Sequence, residues 1–163
     1  MDVLLFWIFA IVSVGCGFRV VSHRNPLSSA IYLIITMLCL AGLYTLLSGV
    51  FVAVVQVLIY AGAVMVLILF VIMMLNLREE VLRPEGSVPV WVLAGIVGLL
   101  LVWRLTRLFP RPEATAPLAQ DFGTIEAMGK TMFTGYLLPF ELSAVLLLVA
   151  VIGAVILAKR PVP

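Results

Sequence analysis

Charged residues are scarce in this sequence, and their scarcity excludes an ordinary soluble domain. They make up 11% of the 163 residues, while hydrophobic residues make up 64%. A soluble domain carries about a quarter charged residues. A soluble chain of this length has no interior large enough for so much apolar surface, so lipid must be the solvent for much of it. The net charge of +2 is small and its basic residues are not clustered, which argues against a nucleic-acid-binding surface.

Residues that carry chemistry are equally few. The two cysteines, Cys16 and Cys39, lack the short spacing of a metal or redox pair, and both lie in apolar segments as packing residues do. The single histidine, His23, lies in a loop, where a solvated side chain is the favoured interpretation over a ligand or a proton relay. One loop histidine and scattered carboxylates do not make a catalytic constellation. The sequence therefore predicts no catalytic centre, cofactor site or metal site in this chain.

The apolar residues form five segments, which predict an all-α polytopic membrane protein. The segments cover residues 3–21, 27–47, 51–75, 88–109 and 138–158, within one transmembrane domain over residues 1–163. Each is long enough to cross a hydrocarbon core of about 30 Å as a helix. Asn25 and Pro26 predict the N-cap and first residue of the second helix. Only Ser48-Gly49-Val50 separates the second and third segments, which predicts a tight antiparallel hairpin.

The longest loop, residues 110–136, begins with an irregular linker and continues into a predicted short amphipathic helix. Its apolar residues recur at helical spacing: Phe122, Ile125, Met128, Met132 and Phe133. Such a helix lies along the membrane surface or on a neighbouring subunit. With five spans, six basic residues fall on one side of the membrane and four on the other. This bias predicts a cytoplasmic C-terminus and an external N-terminus, which makes the long loop external.

The membrane segments also lack charge near their centres. Proton carriers usually have titratable side chains within their spans. The nearest candidate is Glu141, which follows Pro139 and is predicted to lie in the first turn of the fifth helix. An acidic residue there stabilises a helix N-terminus through the helix dipole. A role of Glu141 in a proton path is the alternative interpretation.

The third segment contains only two polar side chains within the membrane, Gln56 and Tyr60. They are one α-helical turn apart, so both are predicted to lie on a face that meets protein or water rather than lipid. The following Ala61-Gly62-Ala63 has little side-chain bulk. Ordinary packing of small residues explains this pattern, and a functional distortion such as a π-bulge is the alternative.

Two runs in this segment closely resemble a known family. They are Val-Leu-Ile-Tyr-Ala-Gly-Ala-Val-Met-Val-Leu at residues 57–67 and Val-Ile-Met-Met-Leu-Asn at residues 71–76. Both are similar to subunit J of bacterial NADH–quinone oxidoreductase (respiratory complex I), the counterpart of mitochondrial NADH dehydrogenase subunit 6. Asn25-Pro26 and the stretch from Phe133 to Glu141 agree with the same family.

The resemblance implies a membrane-arm subunit without redox chemistry, in the cytoplasmic (inner) membrane of a bacterium. Its partners would be subunits A, H and K and the antiporter-like subunit N, while other subunits bind flavin, iron–sulfur clusters, NADH and quinone. The family's third helix switches between α and π-bulge forms, which is proposed to gate a hydrated proton path near the quinone module. Tyr60, Gly62 and Met65 match that motif, whereas some relatives carry glutamate at the position of Gln56.

Three other functions fit the sequence less well. The chain would otherwise be a static scaffold subunit of the same complex, or the corresponding subunit of a membrane-bound hydrogenase or cation antiporter complex. A free-standing transporter is disfavoured, because the spans lack central charge and show no inverted repeat.

Overall fold

The chain is helical throughout the part that the structure describes. The computed structural model describes residues 2–75, 88–108 and 122–159 and contains no strand within them. The helices are α1 (Asp2–Ser22), α2 (Pro26–Leu46), α3 (Val50–Val55), a π-helical segment (Gln56–Val64), α4 (Met65–Leu75), α5 (Val88–Leu108), α6 (Ile125–Thr134) and α7 (Leu137–Ala158). The all-α prediction is confirmed. We call the unbroken helix Val50–Leu75, formed by α3, the π segment and α4, the third span.

Four helices are long and apolar enough to cross a membrane. They are α1, α2, the third span and α7, with 21, 21, 26 and 22 residues. Their bounds lie within one residue of the predicted segments. The fourth predicted segment coincides with helix α5, although its last residue, Phe109, lies outside the described residues. The chain is therefore a multi-pass membrane protein, and the crossing by α5 stays a prediction.

Helix α2 is the centre of the described packing. It contacts α1 and every part of the third span. A Cβ atom at Gly42 would lie 2.8 Å from the Phe9 ring, so the bare glycine lets α1 pack closely against α2. The Ser29 hydroxyl donates to the Val20 carbonyl oxygen at 2.5 Å. That bond satisfies a carbonyl group in the last turn of α1, which has no partner within its own helix.

The beginning of α2 agrees with the prediction from Asn25 and Pro26. The Asn25 side-chain oxygen accepts from the N–H groups of Leu27 at 3.0 Å and Ser28 at 3.3 Å, and Pro26 is the first helical residue. The side chain satisfies two N–H groups that have no acceptor within the helix, and proline has no N–H group to satisfy.

The predicted hairpin between α2 and α3 is confirmed, and its turn is a Schellman motif. The Ser48 N–H donates to the Thr45 carbonyl at 3.1 Å, and the Gly49 N–H donates to the Tyr44 carbonyl at 2.9 Å. Ser48 occupies the left-handed position with φ of 62°. Glycine is the usual residue there, because a Cβ atom makes this conformation unfavourable.

Replacement of Ser48 by glycine should therefore stabilise the hairpin by about 1 kcal/mol, since glycine adopts the left-handed conformation without strain. The midpoint of thermal unfolding of the purified assembly should rise. The matched control is Ser13→Gly inside α1, where glycine should lower stability by a few tenths to about 1 kcal/mol. A lower midpoint of unfolding for Ser48→Gly would show that Ser48 is not strained in the left-handed conformation.

The short helix α6 lies on the hairpin turn. The Thr124 hydroxyl caps α6 by accepting from the Ala127 N–H at 3.2 Å. The Phe51 N–H, in the first turn of α3, donates to the Gly123 carbonyl at 3.4 Å. Met128 and Met132 are half-buried, whereas Ile125 is 70% exposed. The groove between the two elements is lined by Gly49, Val52, Phe122, Gly123, Ala127, Met128 and Thr131.

Helix α7 begins earlier than predicted, which corrects the position of Glu141. The helix begins at Leu137, so Glu141 is its fifth residue and lies beyond the first turn. Pro139 is tolerated as the third residue, because the first N–H groups of a helix have no acceptor within it. The Phe133 and Phe140 rings meet edge to face at 5.0 Å and join α6 to α7. The prediction that Glu141 lies in the first turn is therefore wrong by one residue.

Candidate functional site

The π segment is the most unusual backbone feature of the described chain. It covers the nine residues Gln56–Val64 within the membrane-spanning third span. At its end the Met65 N–H is shared between the carbonyl oxygens of Gly62, three residues earlier, and Tyr60, five residues earlier, instead of donating to the one four residues earlier. Long π-helical stretches are rare, and shorter ones occur frequently at functional sites.

The π segment decides which residues of the third span lie against α2. Gln56 and Met65 are both buried, at 8% and 5% exposure. They are nine residues apart, and in an α-helix nine residues turn through about 900°, which places two side chains on opposite sides. A π turn uses more residues for each revolution, so the two side chains return to the same side. The segment thus shifts the buried face of α4 relative to that of α3.

Gln56 finds its partner on α2. Its amide nitrogen donates to the Met37 sulfur at 3.1 Å. A thioether is a weak acceptor, so this contact holds the amide less firmly than a carbonyl oxygen would. The sequence predicted that Gln56 needs a partner but did not identify Met37. The predicted hairpin could have indicated this pairing, because Met37 and Gln56 both lie within about three helical turns of the hairpin loop.

Tyr60 and Gly62 lie inside the π segment but have different surroundings. Tyr60 is 49% exposed, whereas Gln56 is 8% exposed and contacts Met37 of α2. Four residues make nearly one full turn in an α-helix and in a π-helix alike, so the shared face of the two side chains stays a prediction. A Cβ atom at Gly62 would lie 3.3 Å from the Val57 carbonyl oxygen and near no atom of another described helix. Gly62 therefore contacts its own π turn and does not admit a second described helix of this chain.

The structure brings together only part of the predicted set. Gln56 and Met65 are buried against α2, and Tyr60 and Gly62 lie on the segment between them. Glu141 is exposed on α7, whose described residues contact α6 and not the third span. Among the described residues no group of three or more histidine, cysteine or acidic side chains is placed to hold a metal ion. The site is thus a distorted apolar helix with one buried amide.

Comparison of the sequence with known proteins identifies its family. The sequence profile of the family described as NADH-ubiquinone/plastoquinone oxidoreductase chain 6 matches residues 16–157. The chain belongs to this family. The family resemblance seen in the third span is therefore confirmed over most of the chain.

Relatives in the chain 6 family cover nearly all of the sequence. NAD(P)H-quinone oxidoreductase chain 6 of Nostoc sp. is 42% identical over 98% of this chain and 80% of its own length. NADH-quinone oxidoreductase subunit J of Rhodobacter capsulatus is 36% identical over 97% of this chain and 82% of its own length. Subunit J of Escherichia coli (strain K12) is 30% identical over 91% of this chain and 82% of its own length. The matched residues 16–157 include those that form the π segment, the hairpin turn and α6 in this chain.

Proposed function

We propose that this chain is a non-redox subunit in the membrane arm of a proton-translocating NADH–quinone oxidoreductase of a bacterial cytoplasmic membrane. Membership in the chain 6 family and four membrane-length helices support this role. Other subunits bind flavin, iron–sulfur clusters, NADH and quinone, and the contacting subunits are A, H, K and N. The N-terminus is external, the C-terminus is cytoplasmic, and α5 makes the fifth crossing.

We further propose that the third span switches between π and α forms and thereby gates a hydrated proton path near the quinone module. The observation that carries this proposal is the π segment itself, which keeps Met65 buried against α2. In a continuous α-helix Met65 would lie about half a turn away from Gln56. A change of form therefore exchanges the apolar side chains that fill the space beside α2. Water enters or leaves when that space changes.

The chain itself has no need to bind the proton in this mechanism. The third span contains no charged residue, and Gln56 does not titrate. Two features of the site help the switch. The weak amide-to-thioether bond of Gln56 is easily exchanged for a bond to water, and Tyr60 is exposed enough to contact water or a neighbouring subunit. Glu141 is exposed on α7, and we propose that it takes part in the path through a neighbouring subunit.

The replacement Gly62→Ala tests the switch with one methyl group. Alanine favours an α-helix over glycine by about 1 kcal/mol, and its Cβ atom would lie 3.3 Å from the Val57 carbonyl oxygen in the π turn. The stronger preference for an α-helix shifts the equilibrium towards the α form by about fivefold. We expect a lower ratio of protons pumped to electrons transferred in reconstituted vesicles. NADH–quinone turnover in the presence of an uncoupler should change much less.

The matched control is Gly153→Ala in α7, where a Cβ atom has no contact within 4 Å beyond the neighbouring backbone of its own helix. This variant should pump normally. A static scaffold predicts a different outcome for Gly62→Ala, in which assembly and turnover fall together and the proton-to-electron ratio stays normal. That result would refute the gating proposal while leaving the assignment to the complex intact.

A further inference from the structure

A cation–π pair lies near the C-terminal end of α5. The guanidinium carbon of Arg107 is 5.5 Å from the centroid of the Trp103 ring. The two residues are one helical turn apart and therefore project from the same side of the helix. Trp103 is 53% exposed, and Arg104 and Arg107 are also exposed. The contact holds a cation beside an indole ring at the end of a long apolar helix.

An apolar groove begins directly beside this pair and extends towards the middle of α5. It has a volume of about 520 Å³ and is lined by Leu99, Leu100, Val102, Trp103 and Thr106. Leu99 lies eight residues before Arg107, which is about 12 Å along the helix axis. If the arginines are at the membrane interface, the groove is at the depth of the acyl chains. Tryptophan and arginine are the residues that mark this interface in membrane proteins.

The two arginines lack a carboxylate partner within the described part of the chain, because neither makes an ion pair there. The described residues of α5 also pack against no other described helix. A guanidinium group offers a planar fork of N–H donors that matches a phosphate group. An acceptor for these donors must therefore come from outside the described chain, and at this depth the phospholipid phosphate is available.

We propose that the C-terminal end of α5 binds one anionic phospholipid. Its phosphate accepts hydrogen bonds from Arg104 and Arg107, and one acyl chain lies in the groove. The Trp103 ring holds the Arg107 guanidinium in place and sits at the headgroup level. Two positive charges favour an anionic headgroup over a zwitterionic one, because only the anionic headgroup carries a net negative charge. This site is independent of the proposed gating by the third span.

Photo-crosslinking of lipids in the native assembly tests the site. The assembly is placed in nanodiscs that contain phosphatidylglycerol or phosphatidylcholine with a diazirine in the acyl chain, and labelled peptides are located by mass spectrometry. We expect adducts on residues 99–106, with phosphatidylglycerol labelling several-fold more than phosphatidylcholine. The double variant Arg104→Gln/Arg107→Gln should remove this preference. Trp103→Leu, which keeps both charges, should reduce it by about half or more because Arg107 is then less well held.

The matched control is Arg19→Gln at the end of α1, another arginine close to a membrane boundary, which should leave the labelling of residues 99–106 unchanged. Equal labelling by the two lipids would overturn the proposal, since the arginines would then be merely solvated at the interface. Absence of lipid adducts would also overturn it, because another subunit would then cover this face. All replaced side chains are exposed, so loss of folding does not account for a loss of labelling.

Discussion

Deletion of Ala61 and Gly62 together should yield an assembled complex that transfers electrons from NADH to quinone but pumps few or no protons. The deletion shortens the distance between Gln56 and Met65 from nine residues to seven. Seven residues of α-helix turn through two revolutions to within about 20°, so both side chains still face α2. The span keeps 24 of its 26 residues, about 36 Å, which still crosses the hydrocarbon core. The deletion thus removes the π form while preserving the buried face.

The control for this experiment is deletion of Gly62 alone. One π turn and one α turn together use about eight residues for two revolutions, so this variant keeps Met65 beside Gln56 by retaining one π turn. It should therefore assemble and keep more of its proton pumping than the double-deletion variant does. The proton-to-electron ratio in vesicles and the amount of assembled complex on native gels separate the two outcomes. Normal pumping by the assembled double-deletion variant would show that the π segment is dispensable.

Replacement of Gly123 by alanine should cost about 2–3 kcal/mol of stability and detach α6 from the hairpin. Gly123 has φ of 75°, where a Cβ atom is strained, and the added atom would overlap the Ser48 carbonyl oxygen. That oxygen belongs to the backbone of the Schellman turn and has no rotamer that avoids the clash. The shift would also break the bond from the Phe51 N–H to the Gly123 carbonyl. Thermal unfolding of the purified assembly and protease cleavage near α6 measure the effect.

Gly129→Ala is the matched control on α6. A Cβ atom at Gly129 has no contact within 4 Å beyond the neighbouring backbone of its own helix, and the residue lies in a regular α-helix. Alanine should therefore be neutral or stabilise the helix by about 0.5–1 kcal/mol. If Gly123→Ala and Gly129→Ala have the same thermal stability, the turn at Gly123 does not pack against the hairpin turn at Ser48 as described.

The elements that were predictable from the sequence are those set by local composition. The apolar runs located four membrane-length helices to within one residue. In lipid there is no water to pair with the backbone, so each apolar run must form a helix that satisfies its own N–H and C=O groups. Asn25 and Pro26 located the start of α2, because capping involves only adjacent residues. The spacing of apolar residues likewise indicated α6.

The position of Glu141 depended on where its helix begins. Helix α7 begins at Leu137, because proline is accepted in its first turn, and this puts Glu141 beyond the first turn. The difference in exposure between Gln56 and Tyr60 was not predictable from the sequence, because it depends on packing against α2.

The sequence by itself determined that this chain is an all-α membrane protein of a recognisable family. Whether lipid or water surrounds a segment follows from the side chains of that segment alone. Only the tertiary structure decided which side of the third span is buried, that Met37 accepts from Gln56, and that the left-handed residues Ser48 and Gly123 meet. These features depend on contacts between residues that are distant in sequence. In a helix where nearly every side chain is apolar, periodicity does not mark a buried face, and packing against α2 supplies that information instead.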